Sequence, residues 1–170
     1  MKKRARFLAH ASIIAALYAV LTHMQNILLP GSATWAIQMR MSEALCILAF
    51  FTPAAAMGLS VGCLIFNLTF SAALPLDFLV GTLATYFAAK SMWLTRKLVV
   101  GKLPLPGLLM PALWNAILVG WELTVYIGGG FAMNALYVAL GEAAVLLTFG
   151  TGLYFVMKKR RLDVRLFESH

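Results

Sequence analysis

The residues of this chain that are suited to chemistry are a few charged side chains set inside very apolar stretches. Arg40 and Glu43 lie three positions apart at the start of one apolar run, and Glu122 and Glu142 lie inside two others. Charged groups are costly inside a membrane, and those that occur there usually mark binding sites or transport pathways. We therefore expect these residues to form a polar site that the rest of the chain holds in place.

The composition indicates an all-α integral membrane protein. Hydrophobic residues make up 62% of the chain and charged residues 12%, and the mean hydropathy is +0.86. A soluble core of this size cannot bury so much apolar surface. Residues 1–170 suffice for a single domain of about six spans of roughly 20 residues each.

The apolar periodicity and the breaks at proline and glycine predict a six-helix transmembrane bundle. The second span is short, about 16 Å as an α-helix, so we expect the loop at 25–38 to dip into the membrane as a lid over a cavity. The predicted spans are 7–24, 41–51, 53–70, 75–94, 107–126 and 131–157.

The basic residues predict the orientation. The net charge is +8, and every basic residue except Arg40 falls at the N-terminus, near the loop after the fourth span, or after the sixth. With six spans these regions share one side, so the positive-inside pattern places both termini in the cytoplasm. Because these charges flank apolar spans, they do not indicate nucleic-acid binding.

The acidic residues within the spans all lie outside the cytoplasmic third of the predicted bundle. Asn67 and Asp77 lie near outer span ends, and Glu122 lies about one turn below another. Glu142 is about 16 Å along the sixth span and Glu43 about 12 Å above the cytoplasmic turn. These depths predict a pocket that opens to the outside, with its floor near the bilayer centre.

The fifth span carries a polar stripe. Asn115, Glu122 and Tyr126 follow one another at i, i+7 and i+11, which places them within about 20° on one face. Tyr126 and Tyr137 suit either the pocket or a lipid-facing aromatic belt. Trp114 is too deep for a belt, so we expect it to face the bundle.

Each of these residues also has a structural interpretation. Arg40 and Glu43 suit an ion pair that closes the lid, and Asp77 suits the first turn of a helix. Asn67 suits an interhelical hydrogen bond.

The first span also carries a stripe of small residues. Ala11, Ala15 and Ala19 repeat every four residues, and this spacing suits close helix approach, either within the bundle or to another subunit.

The chain shows no pattern of a soluble catalyst. Cys46 and Cys63 lie in apolar runs without the spacing of a metal site, so no metal or cofactor is expected. Glu43 and Glu142 are conceivable as an acid/base pair of a membrane enzyme, but a nucleophile and a nucleotide-binding motif are both missing from the sequence.

Several segments together resemble the family of queuosine-precursor (QueT-type) transporters. They are Q-M-R-M-S-E-A-L at 38–45, F-T-P-A-A at 51–55, N-A-I-L-V-G at 115–120 and Y-V-A-L-G-E at 137–142. Such proteins are substrate-binding S-components of energy-coupling factor (ECF) ABC transporters. The resemblance implies six helices in a bacterial plasma membrane and an outward-facing site.

The resemblance also implies partners and a ligand. The partners are a transmembrane coupling (T) subunit, which docks on the alanine stripe 11, 15 and 19, and two ATPase subunits that supply ATP hydrolysis, so the chain itself is not expected to be an enzyme. The ligand is a 7-deazaguanine: queuine or its aminomethyl or cyano precursor (preQ1 or preQ0).

The implied ligand suggests roles for the acids, because the guanine edge offers two parallel donors and the aminomethyl form adds an ammonium. Glu142 or Glu43 suits the guanine edge, and Glu122 or Asp77 suits the cationic substituent. Arg40 or Asn115 suits the ring oxygen. The full set of ligand-binding candidates is Arg40, Glu43, Asn67, Asp77, Trp114, Asn115, Glu122, Tyr126, Tyr137 and Glu142.

Two alternatives stay open from the sequence. One is an S-component or a stand-alone transporter for another small vitamin-like molecule. The other is the membrane-embedded enzyme that uses Glu43 and Glu142.

Overall fold

The computed structural model describes residues 2–30, 39–70 and 73–167, and within these ranges the regular secondary structure is all helical, apart from one isolated bridge between Val100 and Leu103. The predicted all-α class is confirmed for this part of the chain. The elements are α1 (Lys2–Leu28), a 3₁₀ helix (Met41–Phe50), α2 (Ala54–Thr69), α3 (Asp77–Thr95), α4 (Leu105–Leu108), α5 (Met110–Tyr126), α6 (Phe131–Val145), a π-helix (Leu146–Gly150), α7 (Thr151–Lys159) and α8 (Leu162–Phe167).

Helix α1 is longer than predicted. It continues to Leu28, one turn past the expected end at Met24, because the first helix-breaking residues are Pro30 and Gly31. Gln25 thus belongs to α1 rather than to the predicted lid. The C-terminal part of that lid, residues 31–38, lies outside the described residues.

The short second segment lies where it was predicted, but its helix type was not foreseen. Residues Met41–Phe50 form a 3₁₀ helix, which rises about 2 Å per residue and therefore spans about 20 Å. Runs of this length are uncommon for 3₁₀ geometry, and tertiary packing sustains this one: α1, α2, α3, α6 and α7 all contact it. Cys46, Ile47 and Ala49 on this helix are buried in the main apolar core.

The remaining boundaries differ from the predicted ones by a few residues. Helix α3 begins at Asp77, two residues after Pro75. The predicted fifth span begins as the short α4, after which α5 starts at Met110 with Pro111 in its first turn. The predicted sixth span is helical throughout, running from α6 through the π-helix into α7.

Three helical segments of the described chain are long and apolar enough to cross a membrane: Lys3–Leu28, Leu105–Tyr126 and Phe131–Lys159. The 3₁₀ helix and α2 are apolar but shorter. These lengths agree with a membrane protein. The count of six spans and the cytoplasmic termini stay predictions.

The alanine stripe of α1 packs inside the chain. A Cβ on Gly62 would lie 2.7 Å from the Ala15 carbonyl oxygen, and a Cβ on Gly58 would lie 2.6 Å from that of Ala11, so α1 and α2 are in backbone contact there. Ala15 and Ala19 are only 5% and 8% exposed. The chain's own α2 therefore packs against Ala15 and Ala19, as small-residue packing within the bundle allows, whereas Ala11 is half-buried. Docking of this stripe onto a partner stays a prediction.

Candidate binding site

A band of buried polar side chains crosses the bundle at the junction of the 3₁₀ helix with α2, α3, α5 and α6. Each of its members is at most 6% exposed. Buried polar groups at this density require partners or a ligand. The members predicted from sequence are Arg40, Glu43, Asn67, Asp77, Asn115, Glu122 and Glu142.

Arg40 pairs with Asp77 rather than with Glu43. Its Nη2 lies 3.5 Å from Asp77 Oδ2, and both side chains are buried. The predicted ion pair with Glu43 is not the one that forms, because Arg40 precedes the 3₁₀ helix in an extended conformation (φ −78°, ψ 108°) and its side chain turns toward α3. The guanidinium also lies 5.6 Å from the centre of the Phe66 ring.

Asn67 fastens α2 to the start of α3. Its Nδ2 donates to the Asp77 carbonyl oxygen at 2.8 Å, which agrees with the interhelical role that the sequence left open. The approach is tight enough that a Cβ on Gly81 would come within 2.8 Å of Asn67 Nδ2 and 3.1 Å of Asp77 Oδ1. Asp77 is thus held by an ion pair and by its backbone.

Glu43 accepts hydrogen bonds on both of its carboxylate oxygens. The Tyr18 hydroxyl donates to Oε1, and the Cys46 thiol donates to Oε2 with a Sγ–O distance of 3.0 Å. In a 3₁₀ helix, residues three apart are eclipsed, so Cys46 sits directly beside Glu43. Cys46 therefore both packs in the apolar core and donates a hydrogen bond to Glu43.

Three polar residues of α1 form a ladder on the segment that carries Arg40 and Glu43, which we call the α1 ladder: Tyr18, Thr22 and Gln25. The Thr22 hydroxyl donates to the Tyr18 carbonyl oxygen at 2.7 Å and shares a second hydrogen bond of 2.7 Å with the Ser42 hydroxyl. Gln25 donates from Nε2 to the Met39 carbonyl oxygen at 2.5 Å and accepts from the backbone N–H of Met41 at 2.7 Å. Their spacing at i, i+4 and i+7 is the signal that sequence reasoning missed.

The carboxylates of α5 and α6 lack such partners. Both oxygens of Glu122 and Oε2 of Glu142 are buried without a hydrogen bond to any described residue, and so is Oδ1 of Asn67. Glu122 lies within electrostatic range of Asp77 and Arg40, and Glu142 lies within that of Glu43 and Arg40. Asp77 forms the ion pair with the guanidinium, and Glu122 and Glu142 retain free acceptor oxygens.

The band is enclosed in this structure. Glu122 is 0% exposed and Glu142 is 1% exposed, so the predicted pocket open to the outside is closed here. Among the described residues, no group of three or more His, Cys, Asp or Glu side chains is arranged to hold a metal ion.

The predicted aromatic residues lie at the edge of this band or outside it. The Trp114 indole N–H donates to Ser91 Oγ at 3.0 Å, and its ring stacks on Phe87 with centroids 5.0 Å apart, so Trp114 packs along α3. Tyr126 is 41% exposed at the end of α5. Tyr137 is half-buried on α6.

On α5, only part of the predicted polar stripe therefore lies within the band. Asn115 and Glu122 are buried, whereas Tyr126 is not part of the enclosed band.

A comparison with protein families decides what kind of molecule carries this band. The family model described as QueT transporter matches residues 8–159, nearly the whole chain. The chain belongs to the QueT transporter family. The resemblance found in the sequence is thereby confirmed, and the match includes every residue of the polar band.

Membership makes this QueT family member a membrane component for substrate uptake, and its apolar helices agree with a multi-pass membrane protein. No curated protein and no solved structure matches the chain.

Proposed function

We propose that this QueT family member is the substrate-binding S-component of an ECF-type ABC importer, and that it binds a 7-deazaguanine queuosine precursor in the enclosed polar band. The observation that carries the proposal is the set of buried acceptor oxygens without donors on Glu122 and Glu142. Buried unsatisfied carboxylate oxygens are strongly unfavourable. A ligand rich in N–H donors would supply what the chain does not.

A 7-deazaguanine matches this set of acceptors. Its N1–H and exocyclic amine are parallel donors that one carboxylate accepts in a bidentate manner. The aminomethyl substituent of one precursor is a cation, and the excess of carboxyl groups over the single Arg40 guanidinium favours a cation. The purine-like ring would displace side chains from the closed band, so binding requires the band to open.

The hydrogen bonds narrow the roles that the sequence left open. Glu43 and Asp77 already have partners on Tyr18, Cys46 and Arg40. Glu122 has both oxygens unpartnered among the described residues, and the guanine edge needs two such oxygens. We therefore assign the edge to Glu122 and the cationic substituent to Glu142, the reverse of the order first inferred for these two.

The partners in this proposal are a T subunit and two ATPase subunits. The sequence holds no nucleotide-binding motif, so ATP hydrolysis would come from them. With Ala15 and Ala19 covered by α2, the contact would lie on the adjacent face of α1, where Ser12 and Ala16 are exposed at a spacing of four residues.

A direct binding titration tests the proposal. The purified chain in detergent is titrated with queuine, its aminomethyl and cyano precursors, and guanine, and heat release or intrinsic tryptophan fluorescence is followed. We expect tight binding of at least one 7-deazaguanine. Absence of binding to all of them, with a folded protein, would contradict the proposal and favour another vitamin-like substrate.

The competing enzyme hypothesis is tested in the same samples. Conversion of any of these compounds by the chain alone, without partner subunits, would favour a membrane enzyme that uses Glu43 and Glu142. A ligand that is recovered unchanged after tight binding supports the transport subunit.

A further inference from the structure

A basic cleft lies at the end of the chain's longest apolar helical path, far along the sequence from the polar band. Helix α7 ends at Lys159, and α8 follows after a two-residue turn. The cleft has a volume of about 700 Å³. Its lining consists of Val156, Lys159, Arg160, Arg161, Leu162 and Arg165.

The backbone holds this cleft in a defined shape. Arg161 adopts a left-handed conformation with φ of 53°, which is uncommon for a residue other than glycine. The turn is fastened by hydrogen bonds from Arg161 N to the Lys158 carbonyl and from Arg165 N to the Arg161 carbonyl, at 3.2 and 3.1 Å. A strained, hydrogen-bonded turn indicates that the basic residues are arranged and do not simply trail from the helix end.

Helix α8 is folded back onto the bundle. Phe167 packs edge-on against His10 of α1, with ring centroids 5.2 Å apart. Leu162 and Phe167 both contact the main apolar core. The cleft is therefore anchored on both sides, by α7 and by α8.

The positive charge of the cleft is not neutralised by the acid nearest to it in sequence. Asp163 pairs with Lys158 at 2.8 Å, outside the cleft lining. The hydrogen bond from Lys158 helps to hold the pKa of Asp163 below its usual range despite its burial, so this carboxylate stays ionised and engaged with Lys158. Four basic side chains thus face the cleft, and none of the described residues that line it is acidic.

We propose that this cleft binds the phosphate head group of an anionic phospholipid. It lies at the end of the membrane-length segment Phe131–Lys159, at the level where head groups meet the apolar spans. Phe155 and Val156 are exposed on the last turns of α7 and offer an apolar surface for the acyl chains of the same lipid. Arginine forks bind phosphate oxygens in a bidentate manner, and a basic pocket beside a transmembrane helix is a known form of lipid site.

A lipid fits these observations better than a free phosphate does. A soluble anion needs only the charges, whereas the cleft also has Val156 and Leu162 in its wall and exposed apolar residues beside it. The two sources share the phosphate chemistry, so the experiment includes both as probes.

The test uses the full chain in a neutral detergent and native mass spectrometry. The protein is titrated with phosphatidylglycerol, with phosphatidylcholine and with inorganic phosphate. We expect phosphatidylglycerol adducts at concentrations about tenfold lower than phosphatidylcholine adducts, because only the former is anionic. Equal binding of the two lipids would overturn the proposal.

Matched variants separate the cleft from generic charge. Arg160→Gln with Arg165→Gln removes two cleft charges, and Lys97→Gln with Lys102→Gln removes two exposed charges from the loop after α3. The first pair should weaken phosphatidylglycerol binding at least about fivefold and the second less than about twofold. Equal losses in both variants would overturn the proposal.

Two further measurements complete the test. The first is the variant Arg160→Lys with Arg165→Lys, which keeps the charge but loses the bidentate fork and should therefore retain part of the phosphatidylglycerol binding. The second is the unfolding temperature of each variant, which verifies that all of them are folded. If inorganic phosphate at equal concentration displaces phosphatidylglycerol completely, the cleft is a free-anion site and the lipid assignment is wrong.

Discussion

The two halves of the polar band, which we call the satisfied half and the unsatisfied half, differ in whether their charged side chains have partners within the chain. On the side of α1 and α3, Glu43 receives two hydrogen bonds and Arg40 faces Asp77 across an ion pair. On the side of α5 and α6, Glu122 and Glu142 keep buried oxygens without partners in the described chain. Both halves are equally buried, so burial alone does not distinguish them.

This difference separates a structural function from a binding function. A buried polar network that is fully satisfied rigidifies the fold, whereas an unsatisfied buried acceptor costs free energy until a donor arrives. The half around the 3₁₀ helix, where the Glu43 and Asp77 carboxylates have partners and only the Asn67 Oδ1 acceptor lacks one among the described residues, thus holds the site in place, and the half on α5 and α6 is left for the ligand. Substitutions in the two halves should therefore change different measurable quantities.

The largest expected effect is on the satisfied half. Arg40→Met leaves the buried Asp77 carboxylate without its partner and should lower the free energy of unfolding by about 3–5 kcal/mol. Denaturant unfolding in mixed micelles measures it. The control is Arg40→Met with Asp77→Leu, which removes both charges and should recover most of the loss; no difference between the single and the double variant would contradict the ion pair.

The next effect is on the unsatisfied half and has a different readout. Glu122→Gln removes a charged acceptor of the proposed ligand and should weaken 7-deazaguanine binding by roughly 10- to 100-fold, the loss of about 1.5–3 kcal/mol. Stability without ligand should stay the same or rise, because an unpaired buried carboxylate is removed. Titration and thermal unfolding measure the two quantities.

Two control variants accompany Glu122→Gln. Asp163→Asn neutralises an acid outside the band and should leave affinity unchanged, whereas Glu43→Gln should lower stability because Tyr18 and Cys46 lose a charged acceptor. If Glu122→Gln lowers stability as much as Glu43→Gln does, the division of the band into a structural half and a binding half is wrong.

A third prediction concerns the close contact between α1 and α2. Gly62→Ala adds a Cβ that would lie only 2.7 Å from the Ala15 carbonyl oxygen, closer than a van der Waals contact. Helices α1 and α2 must therefore separate, at a cost of about 1–3 kcal/mol of stability. Gly152→Ala, whose Cβ meets nothing within 4 Å, is the matched control. Equal stability of the two variants in thermal unfolding would show that α1 and α2 are less tightly packed.

The smallest effect concerns the α1 ladder. Thr22→Val removes the hydrogen bond to Ser42 and should cost about 1–2 kcal/mol of stability, with little change in ligand affinity. Thr82→Val is the control, since the Thr82 hydroxyl donates within its own helix, to the Phe78 carbonyl oxygen. A large loss of affinity in Thr22→Val with unchanged stability would place the α1 ladder within the binding half.

Much of the architecture is predictable from the sequence because it depends on local patterns. Apolar runs broken at proline and glycine located the long helices within about five residues, but they did not predict the short α4 and α8. The i, i+7 spacing placed Asn115 and Glu122 on one buried face of α5. The 3₁₀ geometry of Met41–Phe50 was not predictable, since it is imposed by the helices that surround it.

The composition of the chain determined its membrane character, and the motif around Arg40 and Glu43 determined its family. Only the tertiary structure decided which acids are paired. Arg40 bonds to Asp77, 37 positions away, and not to Glu43, three positions away, because the backbone at Arg40 is extended and α3 lies within reach. Hydrogen bonds of buried carboxylates form across helices, so spacing along one helix identifies the charged residues but not those left free for a ligand.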